Sequence, residues 1–305
     1  YGSYNGIQRY MCKICHRKFK GDDTLFHMKV SPEFISTAME LYYTGSSIDD
    51  ISQHFRNTKG YHPSKSVVFG WVDKYTDKMV KYFRQYQPQV GDTWVCDETV
   101  LRLDKNKKVW FWDIIDTKTR YLIATRVSTS RTTGDAQKLM EKARRVTGKT
   151  PKKIITDKLY AYWDGIELTF GGDTEHVQSS PFAHGDSTSQ IERWHSTLKE
   201  RTKVMKAFRN TETLIQFTDG FQAYYNYLKP HHTLKGKTPA EVAGVDYNEK
   251  TWDAVCRLPV AKEKVIRRKS SEVKFKRPVI KAQSEPNLGK PHYSRKWGGM
   301  TRKGG

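Results

Sequence analysis

No run of about 18 apolar residues occurs in this 305-residue chain, so no helical membrane span is expected. The first residues lack the basic, apolar and small-residue pattern of a secretory signal. Cysteine is scarce, at 4 residues, which argues against a disulfide scaffold and for a reducing compartment. Acidic residues are in deficit, with 33 Asp+Glu against 54 Lys+Arg and a net charge of +21. Such a surplus points to a polyanionic partner, nucleic acid before membrane; the plainer account is a solvated basic surface. No internal repeat is apparent, and the length suffices for two or three domains around a sizeable core.

Among these few acids, three stand in distinctive settings. Asp97 lies in the β-branched run TWVCDETVLRL, and Asp157 ends the apolar run KKIITD, so both read as strand-borne. Glu192 lies in the first turns of STSQIERWHSTLKERTKVMKAF, which reads as one long helix from Ser187 to Phe208. Ser187 with Gln190, or Ser189 with Glu192, would form its capping box. Lys199, Arg201, Lys203 and Lys206 follow, so one carboxylate is succeeded by a basic surface. Between Asp157 and Glu192 lie 34 residues.

The order Asp97, Asp157, 34 residues, Glu192 resembles the DD-E insertion-sequence transposases, which share a ribonuclease H-like core with retroviral integrases. YYNYLKPHHTLKGKTPAEVAG, Tyr224 to Gly244, is similar to the ending of such catalytic domains. The likeness covers roughly residues 30–245. It implies an α/β fold, a mixed sheet flanked by helices. It also implies an enzyme that cuts at transposon ends by water attack and joins the freed 3′-OH to target DNA. Two Mg²⁺ or Mn²⁺ ions would be held by Asp97, Asp157 and Glu192, with Asp97 bridging both. A homodimer or higher assembly on DNA is implied, in the cytoplasm of a prokaryote and associated with the nucleoid. The competing reading is a catalytically inactive, DNA-binding descendant. A ribonuclease H-type nuclease shares the core, but explains neither the N-terminal helices nor the basic C-terminal arm.

Taken in order, residues 1–30 carry Cys12 and Cys15, spaced as one knuckle of a zinc ribbon. A tetrahedral zinc needs four ligands, and only His16 and His27 stand nearby, so a partial site is expected, with a partner CxxC upstream of Tyr1. Residues 31–82 read as three helices resembling a helix-turn-helix DNA reader. The stripe Phe34, Ile35, Ala38, Met39, Tyr42 marks the first, and Ser47 with Asp50 caps the second. Ser64 caps the third, with Val67, Val68, Trp71, Val72 and Tyr75 inward and Lys65 and Lys74 left for DNA. The Arg56–Pro63 turn is longer than usual, and a plain three-helix packing module is the alternative.

Residues 83–91 read as a linker and 92–245 as the catalytic domain, beginning with a three-strand antiparallel meander. Residues 246–305 read as a basic, mostly disordered arm, in which 261–305 hold 14 Lys+Arg against 3 Glu. Glu98 adjoins Asp97, but strand alternation turns it to the opposite face. His195, Ser196 and Lys199 share the face of Glu192. His195 would touch phosphate, assist proton movement or simply pack. Lys199, Arg201 and Lys203 would grip the DNA backbone. Trp194 and Cys96 are expected in the core, Tyr160, Tyr162 and Trp163 as packing or base-stacking aromatics, and His231 and His232 in a loop.

Overall fold

The computed structural model describes residues 2–4, 7–16, 18–20, 25, 28, 30–103, 107–179, 188–205 and 207–258. Strands β1 (Ser3–Tyr4), β2 (Ile7–Met11) and β3 (Lys18–Lys20) pair antiparallel. Cys12 and Cys15 sit in the turn between β2 and β3, which the His16 N–H closes on the Cys12 carbonyl at 2.9 Å. His27 lies outside the described residues.

Three helices follow where the caps place them: α1 (Pro32–Thr44), α2 (Ile48–Lys59) and α3 (Lys65–Phe83). Ser47 and Asp50 form the expected reciprocal box, and Gly60 ends α2 in the left-handed region at φ 61°. Ser64 accepts from the Val67 amide at the start of α3. Ile35, Met39, Ile51, Phe55, Val68 and Trp71 form the buried seam. Val67 is 41% exposed and does not join it, because the 3.6-residue period carries the α3 stripe through Val68, Trp71, Val72 and Tyr75.

The central sheet is built from β4 (Thr93–Arg102), β5 (Lys108–Asp116), β6 (Leu122–Ser128), β7 (Lys153–Thr156) and β8 (Glu175–Gln178). Its order is β6-β5-β4-β7-β8. The first three strands form the expected antiparallel meander, whereas β7 runs parallel to both β4 and β8. Helices α4 (Thr133–Thr147), α5 (Tyr160–Phe170), α6 (Ser189–Met205) and α7 (Thr211–Tyr227) flank the sheet. Two short helices follow, α8 (Pro239–Val242) and α9 (Trp252–Arg257). The result is a mixed α/β core, a five-strand mixed sheet flanked by helices.

Two expected boundaries need correction. Residues 83–91 are not a free linker. Phe83 completes α3 and stacks on Tyr227 at 4.0 Å between ring centroids, Val90 is buried, and the Gln89 amide donates to the Ala243 carbonyl at 2.8 Å. The arm does not begin at 246 either. Tyr247, Trp252, Val255 and Cys256 are buried, and Trp252 stacks on Tyr43 of α1 at 5.1 Å. Sparse aromatic positions in a charged stretch carry this packing, and average composition hides them. Residues 259–305, with most of the expected arm, lie outside the described residues.

Candidate active site

The parallel β4–β7 ladder runs from Thr93↔Lys153 to Val95↔Ile155. Two positions later, still in register, come Asp97 and Asp157, past the last paired residues. The two acids thus stand side by side where the parallel β4–β7 ladder stops, Asp97 midway along β4 and Asp157 just past the end of β7. Asp157 turns the chain into α5, its Oδ1 accepting from the Leu159 amide at 2.9 Å.

Carboxylate oxygens of Asp97, Glu98 and Asp157 lie within 4.8 Å of one another, the only such group of His, Cys, Asp or Glu among the described residues. Glu98 therefore needs correction. Alternation does turn its side chain away from that of Asp97, onto the α5 side. There it accepts from the buried Tyr162 hydroxyl at 2.7 Å and from Arg131. Yet the strand pair opens at this point, and the Glu98 carboxylate still reaches the same mouth. Strand alternation describes directions, and beyond the last pair of the β4–β7 ladder a long side chain still comes within reach of both acids. Arg131 also lies 3.7 Å from Asp157 and stacks over the Trp110 ring at 4.7 Å.

Glu192 is exposed on the first turn of α6 and is not within that 4.8 Å group. Its Oε1 accepts from the Thr188 hydroxyl at 2.8 Å. This Thr188–Glu192 contact stands in place of the Ser189–Glu192 box, because Ser189 is already the first helical residue. The Ser187–Gln190 alternative involves Ser187, which lies outside the described residues. One turn along α6, His195 places Nδ1 3.5 Å from Asp97 Oδ2. Residues three apart on a helix are neighbours, so Glu192 stands one turn of α6 from the histidine that faces Asp97.

Beneath the mouth lies a fully buried acid, Asp113, the cross-strand partner of Asp97. His195 Nε2 is 3.0 Å from Asp113 Oδ1 and 3.1 Å from Oδ2, and the Trp194 indole N–H also donates to Asp113. Burial raises the Asp113 pKa, and the adjacent His195 counters this. Burial disfavours the charged imidazole of His195, but the Asp113 carboxylate outweighs it and raises its pKa. Burial pushes the Asp97 carboxyl up to about 7, against the pull of His195. Burial likewise raises Glu98, with Tyr162 working the other way. Sequence reasoning missed Asp113 because WFWDIID reads as an apolar strand with one polar interruption. That interruption, an acid in the middle of a buried strand, was the available signal.

The expected DNA-contacting residues divide. Lys199 and Lys203 are exposed on α6. Lys65 is exposed and pairs with Asp49 at 2.8 Å, and Lys74 lies 5.3 Å from the Tyr75 ring centroid. Arg201 does not lie on the surface: it is 3% exposed, its guanidinium 4.3 Å from the Tyr42 ring centroid. Helical spacing turns it, with Trp194 and Leu198, toward the core. Tyr160 and Trp163 are exposed at 72% and 54%, whereas Tyr162 is buried. His231 packs edge-on to Tyr225 at 4.5 Å.

Comparison with known proteins finds likenesses over this part of the chain. A family model described as a DDE domain matches residues 91–231, which contain all three ordered acids. The Retrovirus-related Pol polyprotein from transposon gypsy of Drosophila melanogaster is 28% identical over 103 residues. That segment is 34% of this chain, which spans about a tenth of the length of that relative, 10%. Similar solved structures include the HTLV-2 integrase catalytic core domain in complex with magnesium, at 16% identity and TM-score 0.39. That match covers 52% of this chain and 99% of the other. A simian T-cell lymphotropic virus intasome is similar at 16% identity and TM-score 0.41, covering 71% and 75%. Asp97 and Asp157, where the β4–β7 ladder stops, and Glu192 on α6 thus all lie inside the one segment, residues 91–231, that matches a DDE domain.

Proposed function

We propose that the chain is a DNA transposase that cleaves at the ends of its element and joins the freed 3′ end to target DNA. The observation that carries this reading is the meeting of Asp97 and Asp157 where the β4–β7 ladder stops, inside the matched DDE domain. The donors there are carboxylate oxygens, the hard ligands that suit Mg²⁺ or Mn²⁺. Asp97 and Asp157 would hold these ions with Glu192 from α6, and Glu98 lies within reach. Bound divalent ions supply charge neutralisation at phosphorus and an activated oxygen nucleophile. In cleavage a P–O bond to water forms as the P–O3′ bond breaks. In joining, the 3′ oxygen attacks a target phosphate and displaces that strand's 3′ oxygen.

The chain's own residues would do the rest. Lys199 and Lys203 extend a basic face along α6 for the DNA backbone, and Lys65 and Lys74 offer another on α3. Exposed Tyr160 and Trp163 follow Asp157 in the chain and would stack on an unpaired terminal base. Assembly as a dimer or higher form on paired ends would bring two cuts together, in the cytoplasm at the nucleoid. No described helix is long and apolar enough to cross a membrane. The Cys12–Cys15 knuckle would bind Zn²⁺ only with ligands from elsewhere, since no third ligand joins it among the described residues.

The test is a strand-transfer assay on labelled element ends with Mg²⁺. Joining by the parent chain that disappears in Asp157→Asn supports the proposal. Tight DNA binding with no Mg²⁺-dependent cleavage identifies an inactive DNA-binding descendant instead. Cleavage confined to RNA–DNA hybrids would mark a ribonuclease H-type nuclease.

A further inference from the structure

Asp97 is gripped from two sides. Its Oδ1 accepts from the Glu98 amide at 2.9 Å, and its Oδ2 faces His195 Nδ1 at 3.5 Å. The other ring nitrogen of His195 reaches both oxygens of Asp113, at 3.0 and 3.1 Å. The imidazole thus bridges the two carboxylates, with one ring nitrogen turned toward each. Asp113 is 0% exposed and His195 5%, so this strut is not a surface ion pair free to rearrange. The Trp194 indole donates to Asp113 as well, and Trp194 is itself wedged against Tyr225 at 4.6 Å and Phe221 at 5.5 Å.

A buried acid of this kind is costly unless its partners are fixed, and truncating one partner leaves an uncompensated charge. A cheaper core would place an apolar residue at 113. Nothing about sheet formation needs an acid there, since Ile114 and Ile115 fill the neighbouring positions. The acid has one evident consequence: it fixes which way His195 faces. His195 in turn sits one helical turn from Glu192, so the same ring ties α6 to β4 and β5 at the Asp97–Asp113 pair.

We propose that His195, oriented by Asp113, is a positioning residue that sets the rotamer of Asp97 and holds α6, with Glu192, against the cation-binding mouth. The inference rests on the reading of Asp97 as a cation-ligating acid. Partners behind a metal ligand typically change metal affinity about 10–100-fold when removed.

The experiment compares His195→Asn with His195→Gln in the full chain, both neutral. Asn places its amide nitrogen near the Nδ1 position, facing Asp97. Gln reaches the Nε2 position, facing Asp113. Mn²⁺ binding to each is measured by electron paramagnetic resonance, beside thermal melts. We expect H195N to bind Mn²⁺ about tenfold tighter than H195Q, while H195Q melts at the higher temperature. A purely structural histidine predicts one order for both readouts, with H195Q ahead. Equal Mn²⁺ affinities, or tighter binding by H195Q, would overturn the proposal. If the buried charge of Asp113 unfolds H195N, the same pair is compared in an Asp113→Asn background, where that charge is gone. Asp97→Asn is the control for the underlying reading. Parent-level Mn²⁺ binding by D97N defeats that reading, whereas its loss together with equal H195N and H195Q defeats the positioning role alone.

Discussion

The two faces of the sheet at the mouth hold neighbouring acids in opposite ways. On the α6 and α7 face, Asp97 is held by one backbone amide and one imidazole, and its side chain remains 18% exposed. On the α4 and α5 face, the Glu98 side chain is 2% exposed, with one oxygen on Tyr162 and the other on Arg131. The first acid is fixed yet open, whereas the second is consumed by its neighbours. An acid that binds a cation needs lone pairs facing solvent, and an acid that ties elements together does not. Contact with the cluster alone therefore does not decide which carboxylate is chemical.

The largest expected effect tests that distinction. Asp97→Asn should lower Mg²⁺-dependent strand joining at least about a thousandfold, while Glu98→Gln costs no more than about tenfold and mainly lowers the melting temperature. Equal losses in single-turnover joining would place both acids in the chemistry and break the comparison.

Packing against each face offers a second contrast. A Cβ on Gly165 in α5 would stand 2.8 Å from Ala136 Cβ and 3.0 Å from the Gln137 backbone nitrogen. A Cβ on Gly220 in α7 would stand 2.3 Å from the Tyr43 hydroxyl, which bonds Thr76 at 2.7 Å. Gly165→Ala and Gly220→Ala should each destabilise by about 1–3 kcal/mol in urea titrations. Gly165→Ala is the harder to relieve, because it meets backbone. Only Gly220→Ala should loosen the helical module from the core, as amide exchange in α1 and α3 would register.

The proposed DNA binding would separate two cations of α6. Lys199→Ala should weaken affinity a few-fold and reduce the salt slope by about 1. Arg201→Met should leave both unchanged, since all three guanidinium nitrogens are buried without a hydrogen-bond partner. A changed salt slope in Arg201→Met, read by fluorescence anisotropy, would return Arg201 to the DNA surface.

The smallest expected effect is a pH dependence behind the α6 face. Burial lowers the His231 pKa from its ordinary value to about 4. The unfolded chain then takes up a proton near pH 6.5, before the folded one does. Stability linked to His231 is therefore intact above about pH 6.5 and is lost as pH falls toward 4. Melts of the parent chain and His231→Gln at pH 7 and 5 should show the smaller drop in the variant.

Most of the fold was legible because its signals are local. Ser47 with Asp50 and Ser64 are cap chemistry, and KVWFWDIID and KKIITD are strand periodicity, read over a few residues each. Arg201 was misread because a basic run looks solvent-facing until the helix is set against its neighbours. The 83–91 and 246–258 segments were misread because their contacts, Phe83 on Tyr227 and Trp252 on Tyr43, join residues more than 140 apart. No sequence window contains such a pair.

The sequence by itself determined the DDE order of acids, the strand and helix that carry each, and the basic character of α6, because periodicity, caps and charge act over one or two turns. Tertiary structure alone decided that Glu98 joins the mouth, that Arg201 is withdrawn from it, and that Asp113 and His195 stand behind Asp97. Those outcomes depend on where the β4–β7 ladder stops and how α6 crosses the sheet, distances that the chain sets only when it folds.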